Sequence, residues 1–217
     1  MKKKIIIIGN SHKFIKILKE LYPNFEIIIY HWRNSLNIHL QKRLFKKPDI
    51  IFICGYNYES QWYAYSKYYN SNITAPLKLV TFLVKKGTKI LYVNTSSKIK
   101  KNDSSLQNNT LSRYQFAKQE LAYKLYNKFK SIKILEVPVI KDKKNNANIH
   151  GSKITKIFFN LLICLKLIDS INNNDIKKLI INKDNYKNLI APKRLKPMFL
   201  RIPRSLLLDR ILRIVGN

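Results

Sequence analysis

The sequence predicts an α/β fold, a doubly wound parallel sheet with helices on both faces, and three observations carry that prediction. Short, continuous isoleucine- and valine-rich runs recur between residues 4 and 137. They lack polar alternation, the pattern of strands buried on both faces. Between them lie segments long enough to form helices, and glycine closes two of the runs, at Gly9 and Gly55.

Taken in order, Lys4 to Ile8 is the first strand. Phe14 to Leu21, apolar at 14, 15, 17, 18 and 21, is the amphipathic helix after it. Phe25 to Tyr30 is the second strand and Leu36 to Phe45 a helix. Pro48-Asp49 opens a third strand, Ile50 to Cys54, which Gly55 ends. A polar and aromatic stretch from Tyr56 to Asn72 leads into a helix ending near Lys85-Lys86-Gly87, with glycine at the C-terminal cap. Lys89 to Val93 is the fourth strand, Leu111 to Phe129 a helix, Ile132 to Val137 the fifth strand, and Lys141 to Ala147 a polar loop. This order is Rossmann-like, and residues 1–150 read as one such domain. Residues 151–217 form a reduced C-terminal region. There Ile154 to Ile168 is a helix, Asn172 to Asn174 a loop, and Ile176 to Ile181 a helix end or a strand. Arg194 to Pro203 is proline-broken, and Ser205 to Val215 is a short amphipathic helix.

The 217 residues carry 42 lysines and arginines against 12 acidic residues, a formal net charge of +30. Such a surplus suits nucleic acid or an anionic membrane. Only eight of the basic residues are arginine, however, and the lysines accompany an excess of isoleucine and asparagine, the bias of an AT-rich genome. Lysines spread along every segment read as solvated faces, so no specific nucleic-acid partner is expected. Cys54 and Cys164 each sit in an apolar run, as reduced core thiols of a cytoplasmic protein would. The apolar stretch Ile5 to Ile8 is too short for a signal peptide. The run Ile157 to Ile168 is interrupted by Asn160 and Lys166 and falls short of the roughly 20 residues of a spanning helix. A cytoplasmic location follows, with peripheral membrane attachment left open.

A tyrosine and a lysine four residues apart share a helix face, where an ammonium can lower a phenol's pKa from about 10 toward neutrality and make it a general acid or base. The spacing alone selects nothing. Chance predicts about two such pairs in this composition, and three occur: Tyr63 with Lys67, Tyr114 with Lys118, and Tyr126 with Lys130. Context favours Tyr114. The strand before it ends in Asn94-Thr95-Ser96-Ser97, placing hydroxyls at the carboxyl edge of a parallel sheet, where ligands bind in open α/β folds.

Several segments together resemble the short-chain dehydrogenase/reductase superfamily, in its extended sugar-nucleotide epimerase/dehydratase branch. Pro48 to Gly55 is similar to the strand that ends beside the cofactor, and Asn72-Ile73-Thr74-Ala75-Pro76-Leu77 to an N-V-x-G-T-x helix start. Lys89 to Ser97 resembles R-F-V-Y-V-S-S-S-A, and Ser112-Arg113-Tyr114-Gln115-Phe116-Ala117-Lys118 resembles P-Y-x-x-S-K. The resemblance implies an NAD(P)-binding domain over residues 1–150 and a shortened substrate region over 151–217. It implies Tyr114 as the acid/base and Lys118 as the group that lowers its pKa and holds the nicotinamide ribose. Ser96 or Thr95 would bind the reacting oxygen, and Asn72 would support a proton relay. It further implies a nucleotide-sugar substrate, a place in bacterial surface-polysaccharide synthesis, and homodimers paired through the helices beside Tyr114.

The chain departs from that pattern in three places. Of the glycines that let backbone approach a pyrophosphate, only Gly9 is present, followed by Asn10, Ser11, His12 and Lys13. Ser11, His12 and Lys13 are the residues left to meet phosphate, with Cys54 and Gly55 flanking the cofactor on the other side. After the second strand, Tyr30-His31-Trp32-Arg33 replaces the acidic residue that holds an NAD ribose, and Arg33 favours the 2′-phosphate of NADP. Third, only a short region follows His150, although its ending looks like the tail of surface-polysaccharide epimerases; Arg194, Arg201 and Arg204 would clasp a diphosphate there, or an amphipathic helix would lie on acidic lipid. Two alternatives stand beside the enzyme reading: a catalytically degenerate Rossmann-fold binding or assembly protein, and a basic protein docking on nucleic acid or membrane.

Overall fold

A computed structural model describes residues 2–32, 48–95, 110–111, 113–129, 131–142, 146–147, 153–182 and 194–195. Strands β1 (Lys4–Ile8), β2 (Glu26–Tyr30), β3 (Ile50–Ile53), β4 (Lys89–Thr95) and β6 (Ile132–Val137) build a five-stranded sheet in the order β2-β1-β3-β4-β6. Every pairing in it is parallel. The order reverses at β1, so the carboxyl ends of β1 and β3 flank the crevice where an open α/β sheet takes its ligand.

Both faces of the sheet are covered, which is why its strands read as unbroken apolar runs. Ile5 and Ile7 pack with Phe14, Ile17 and Leu18 of α1 (His12–Leu21) and with Ile176 and Ile180 of α6 (Asn173–Ile181). Ile6 and Ile8 face the other way. They join Leu79, Val80 and Leu83 of α3 (Ala75–Leu83) and Phe116, Leu121 and Leu125 of α4 (Arg113–Lys128). Truncating any of these β1 isoleucines to alanine removes about 2–5 kcal/mol.

Several elements differ from the sequence expectation. The helix before α3 begins earlier, inside the stretch expected to be irregular: α2 (Tyr65–Tyr69) runs through a π-helical turn, Asn70–Thr74, into α3. Tyr68, wholly buried, anchors it. Pro76 has no N–H for the carbonyl of Asn72 and its ring crowds that carbonyl, so the turn before it widens. Helix α3 ends at Leu83, and Gly87 serves the following turn at φ +86 instead of capping the helix. The expected Asn172–Asn174 loop is a helix start, because Asn172 caps α6 and shares a capping box with Asp175. Helix α5 (Lys153–Cys164) stops before Lys166, which has φ +55. Cys164 is exposed, where a core thiol was expected; Cys54 is half-buried at the end of β3. Two small parallel pairs were not foreseen: β5 (Thr110–Leu111) with β9 (Arg194–Leu195), and β7 (Val139–Ile140) with β8 (Ser170–Ile171). The helix expected over Leu36 to Phe45 and the one over Ser205 to Val215 lie outside the described residues. Among the described residues, no helix is long and apolar enough to cross a membrane.

Candidate active site

Parallel register brings the ends of β1, β3 and β4 to one edge, with Ile8 beside Ile53 and Ile53 beside Tyr92. At the reversal point the approach is backbone to backbone. Gly9 has φ +133, and a Cβ there would stand 2.7 Å from the Gly55 nitrogen and 3.0 Å from the Cys54 Sγ. Glycine is therefore required by conformation and by space. The N–H groups of Cys54 and Gly55 both donate to the Ile8 carbonyl, at 3.0 and 3.2 Å.

Helix α4 delivers a lysine into this edge. Lys118 is 4% exposed, and its Nζ donates to the carbonyl oxygens of Gly55 (3.0 Å) and Val93 (3.2 Å), tying the ends of β3 and β4 together. The ammonium also lies 5.3 Å from the centre of the Tyr92 ring, and the Tyr92 hydroxyl donates to the Lys118 carbonyl. Burial lowers the lysine's pKa from 10.5 to about 8, against a smaller opposing pull from Cys54. Cys54 itself is pushed up to about 11 by burial, and the Ser11 N–H donates to its sulfur.

Tyr114 starts the same helix one turn earlier. Its ring meets Tyr56 edge-on at 4.8 Å and stacks on Tyr58 at 6.0 Å, 13° from parallel. Its hydroxyl is hydrogen-bonded to that of Tyr58, whose side chain is half-exposed. Burial foremost, then Tyr58 and Tyr56, raise the Tyr114 pKa. The lowering toward neutrality expected from Lys118 is thus not the balance struck here: the phenol is held in an aromatic pocket and the ammonium is directed to backbone carbonyls.

Asn72 lies on the π-helical turn, wholly buried. Its Oδ1 accepts the Asn57 N–H at 2.9 Å, and its Nδ2 donates to Ser60 Oγ, to the Tyr68 carbonyl and to Ser71 Oγ. These bonds fix the loop after β3 that carries Tyr56 and Tyr58. Arg113, which the sequence reading passed over, holds the same loop from the other side. Its Nη1 donates to the carbonyls of Ser60 (3.2 Å) and Tyr63 (2.6 Å), and its guanidinium lies 4.8 Å from the centre of the Tyr68 ring. Arginine is scarce in this chain, and one placed directly before Tyr114 was the available signal. For Tyr56 and Tyr58 the signal was the density of aromatics between 56 and 69.

The remaining expected site residues divide. Thr95 ends β4, half-buried, at this edge, whereas Ser96 and Arg33 lie outside the described residues. Ser11 is the N-cap of α1, His12 is exposed on its first turn, and Lys13 is drawn aside, its Nζ donating to the Lys141 carbonyl at 2.8 Å. Trp32, not foreseen as a site residue, lies over Gly55. A Cβ on that glycine would fall 2.0 Å from the indole, whose Nε1 donates to the Ser71 carbonyl.

The edge offers groups that suit a ribose. Lys118 has three N–H donors and uses two on carbonyls. Beside Val93, the buried Asn94 Oδ1 has no hydrogen-bond partner, an acceptor of the kind that a ligand hydroxyl satisfies. The α1 N-terminus, with Ser11 free of a side-chain capping bond, faces the edge next to Gly9 as a place for a phosphate. Among the described residues no cluster of side chains could hold a metal ion.

No family model and no curated protein matches the sequence. Solved structures do match the fold. A dTDP-4-dehydrorhamnose reductase from Clostridium acetobutylicum aligns with a TM-score of 0.51 at 15% identity, over 82% of this chain and 69% of its own. A GDP-L-fucose synthetase from Naegleria fowleri gives 0.54 at 12% identity, over 89% and 71%. The Bordetella bronchiseptica enzyme WbmF, solved with NAD+ and UDP, gives 0.50 at 17% identity, over 82% and 68%. At these identities the likeness is one of fold.

Proposed function

We propose that this chain is an NAD(P)-dependent oxidoreductase of nucleotide sugars, of the epimerase, dehydratase or ketoreductase kind, working in the cytoplasm in bacterial surface-polysaccharide synthesis. The observation that carries the reading is Lys118: a buried ammonium at the carboxyl ends of β3 and β4, one helical turn beyond Tyr114. A dTDP-4-dehydrorhamnose reductase and a GDP-L-fucose synthetase of the same fold support it, as does the enzyme WbmF, solved with NAD+ and UDP.

In this reading Gly9, Ser11 and His12 meet the diphosphate, with Lys13 joining them on release from the Lys141 carbonyl, Cys54 and Gly55 line its other side, and Lys118 with Asn94 holds the nicotinamide ribose. When bound, the nicotinamide supplies or takes up the hydride. Tyr114 holds the proton exchanged with a sugar hydroxyl, which Thr95 or Ser96 orients. Tyr58, hydrogen-bonded to Tyr114 and half-exposed, passes that proton to solvent. Arg33 selects the 2′-phosphate of NADP. Two chains pair through the helices beside Tyr114.

Titrating the protein with NADPH and NADH while following nicotinamide fluorescence tests the reading. Saturation by NADPH at lower concentration than NADH is expected, with an Arg33→Ala variant losing about tenfold of that preference. No binding of either at about millimolar concentration, a binding free energy weaker than about −4 kcal/mol, would refute it. One set of observations favours a second reading, a binding or assembly protein without turnover: Trp32 fills the space over Gly55, and the Ser11 amide is turned to Cys54. Absence of dinucleotide binding would establish that alternative over the first.

A further inference from the structure

Helix α5 presents its apolar side outward. Asn160 pins the helix to the preceding loop, its Oδ1 accepting the Ala147 N–H at 2.6 Å and its Nδ2 donating to Asn146 Oδ1. On the other side, Ile154, Ile157, Phe158 and Leu161 recur at the spacing of one helical stripe, which Leu165 extends in the turn that follows, its N–H donating to the Leu161 carbonyl. Ile154 is 79% exposed, Ile157 67%, and the other three at least 54%. No residue of α5 is buried. A contiguous stripe of this kind marks a surface that something covers.

Charge decides what that is. Lys153 and Lys156 flank the stripe, Lys166 follows its end, and residues 143–168 contain no aspartate or glutamate. A second copy of the chain seated on α5 would set these lysines against their own counterparts. The chain's own ending carries charge of the same sign. Residues 196–217 bring Lys196, Arg201, Arg204, Arg210 and Arg213 against one acidic residue, Asp209. An anionic lipid surface supplies both an apolar bed and the opposite charge.

We infer that α5 docks this protein on an anionic membrane surface, with Ile154, Ile157, Phe158, Leu161 and Leu165 entering the acyl boundary and Lys153, Lys156 and Lys166 at the headgroups. This places membrane contact on α5, whereas the sequence had drawn attention to Arg194, Arg201 and Arg204. It does not depend on the oxidoreductase reading.

The test is co-sedimentation of the full chain with vesicles of phosphatidylcholine alone and of phosphatidylcholine with a one-third share of phosphatidylglycerol. Binding to the anionic vesicles only, weakening as salt is raised, is expected. A Phe158→Asp, Leu161→Asp variant should partition about tenfold more weakly or less still, with an unchanged circular dichroism spectrum because both side chains are exposed. A Lys16→Ala, Lys19→Ala variant, which removes the same amount of charge from the exposed positions of α1, should bind nearly as well as the parent. Equal losses in the two variants would show attraction by bulk charge and overturn the assignment to α5. So would failure of the parent to bind anionic vesicles. Sedimentation velocity showing a dimer that Phe158→Asp dissociates would give the stripe to a second copy instead.

Discussion

Replacing Lys118 by methionine should change how stability depends on pH. In the folded protein the ammonium is taken out of water, and two carbonyl bonds do not make up the loss, so its pKa falls from 10.5 to about 8. At about 1.4 kcal/mol per unit, this gap means that the charged lysine costs about 3 kcal/mol in the fold. Between these two values the unfolded chain binds the proton and the folded chain does not, so the wild type gains stability as pH rises. The cost is full below about pH 7, about 2 kcal/mol at pH 9 and under about 1 kcal/mol at pH 10. Methionine fills similar volume without a titrating group. It leaves the Gly55 and Val93 carbonyls without this donor, a loss that does not vary with pH. Urea unfolding of both proteins across this range measures the difference, to which loss of the ammonium's downward pull on Cys54 adds a smaller part in the same direction. The variant's stability relative to wild type should fall by about 2–3 kcal/mol from pH 7 to pH 10. A difference flat over that range would show that Lys118 is not confined at the strand ends.

Three other perturbations probe the site. Tyr114→Phe should lower turnover by about 10²–10⁴-fold with dinucleotide affinity retained, and Tyr58→Phe, by removing a hydrogen bond that raises the Tyr114 pKa, should move the alkaline limb of the pH–rate profile downward; full turnover in Tyr114→Phe would remove the acid/base assignment. Gly55→Ala should cost about 1–3 kcal/mol by driving a methyl into the Trp32 indole. A double-mutant cycle with Trp32→Ala should return a coupling above about 0.5 kcal/mol, and additivity would place the two residues apart. Asn72→Ala strands the Asn57 N–H and removes the bonds to Ser60 and Tyr68; a loss of about 2–3 kcal/mol in unfolding free energy from denaturant titration is expected, and a change below about 0.5 kcal/mol would mean the loop is held without it.

The sheet was legible because burial on both faces leaves a periodicity of its own. All five of its strands were found within a residue or two, from Lys4–Ile8 to Ile132–Val137. What failed were features decided by partners remote in sequence. The two-residue pairs of Thr110–Leu111 with Arg194–Leu195 and of Val139–Ile140 with Ser170–Ile171 are too short to show any pattern. Trp32 and Gly55 look unrelated along the chain and are in contact because β2 and β3 flank β1. Asn172 was read for its composition, whereas its side chain caps α6; the acidic Asp175 three residues on was the cue.

The three tyrosine–lysine pairs show how far spacing carries chemistry. At Tyr63 and Lys67 the ammonium sits 4.3 Å over the ring of its own partner. Lys130, the partner of Tyr126, lies outside the described residues. Lys118 differs from Lys67 in being carried to the sheet edge by a helix that packs Phe116, Ala117 and Leu121 into the core. The same packing removes both Tyr114 and Lys118 from water, and desolvation moves their pKa values toward the neutral forms: the phenol upward and the ammonium downward. A phenol so held keeps its proton unless a neighbour takes it. The neighbour within hydrogen-bonding reach is Tyr58, on a loop that Asn72 and Arg113 fasten from opposite sides. The sequence motif therefore located the helix and the edge, while the tyrosine's hydrogen-bond partner comes from a segment where only aromatic density gave it away.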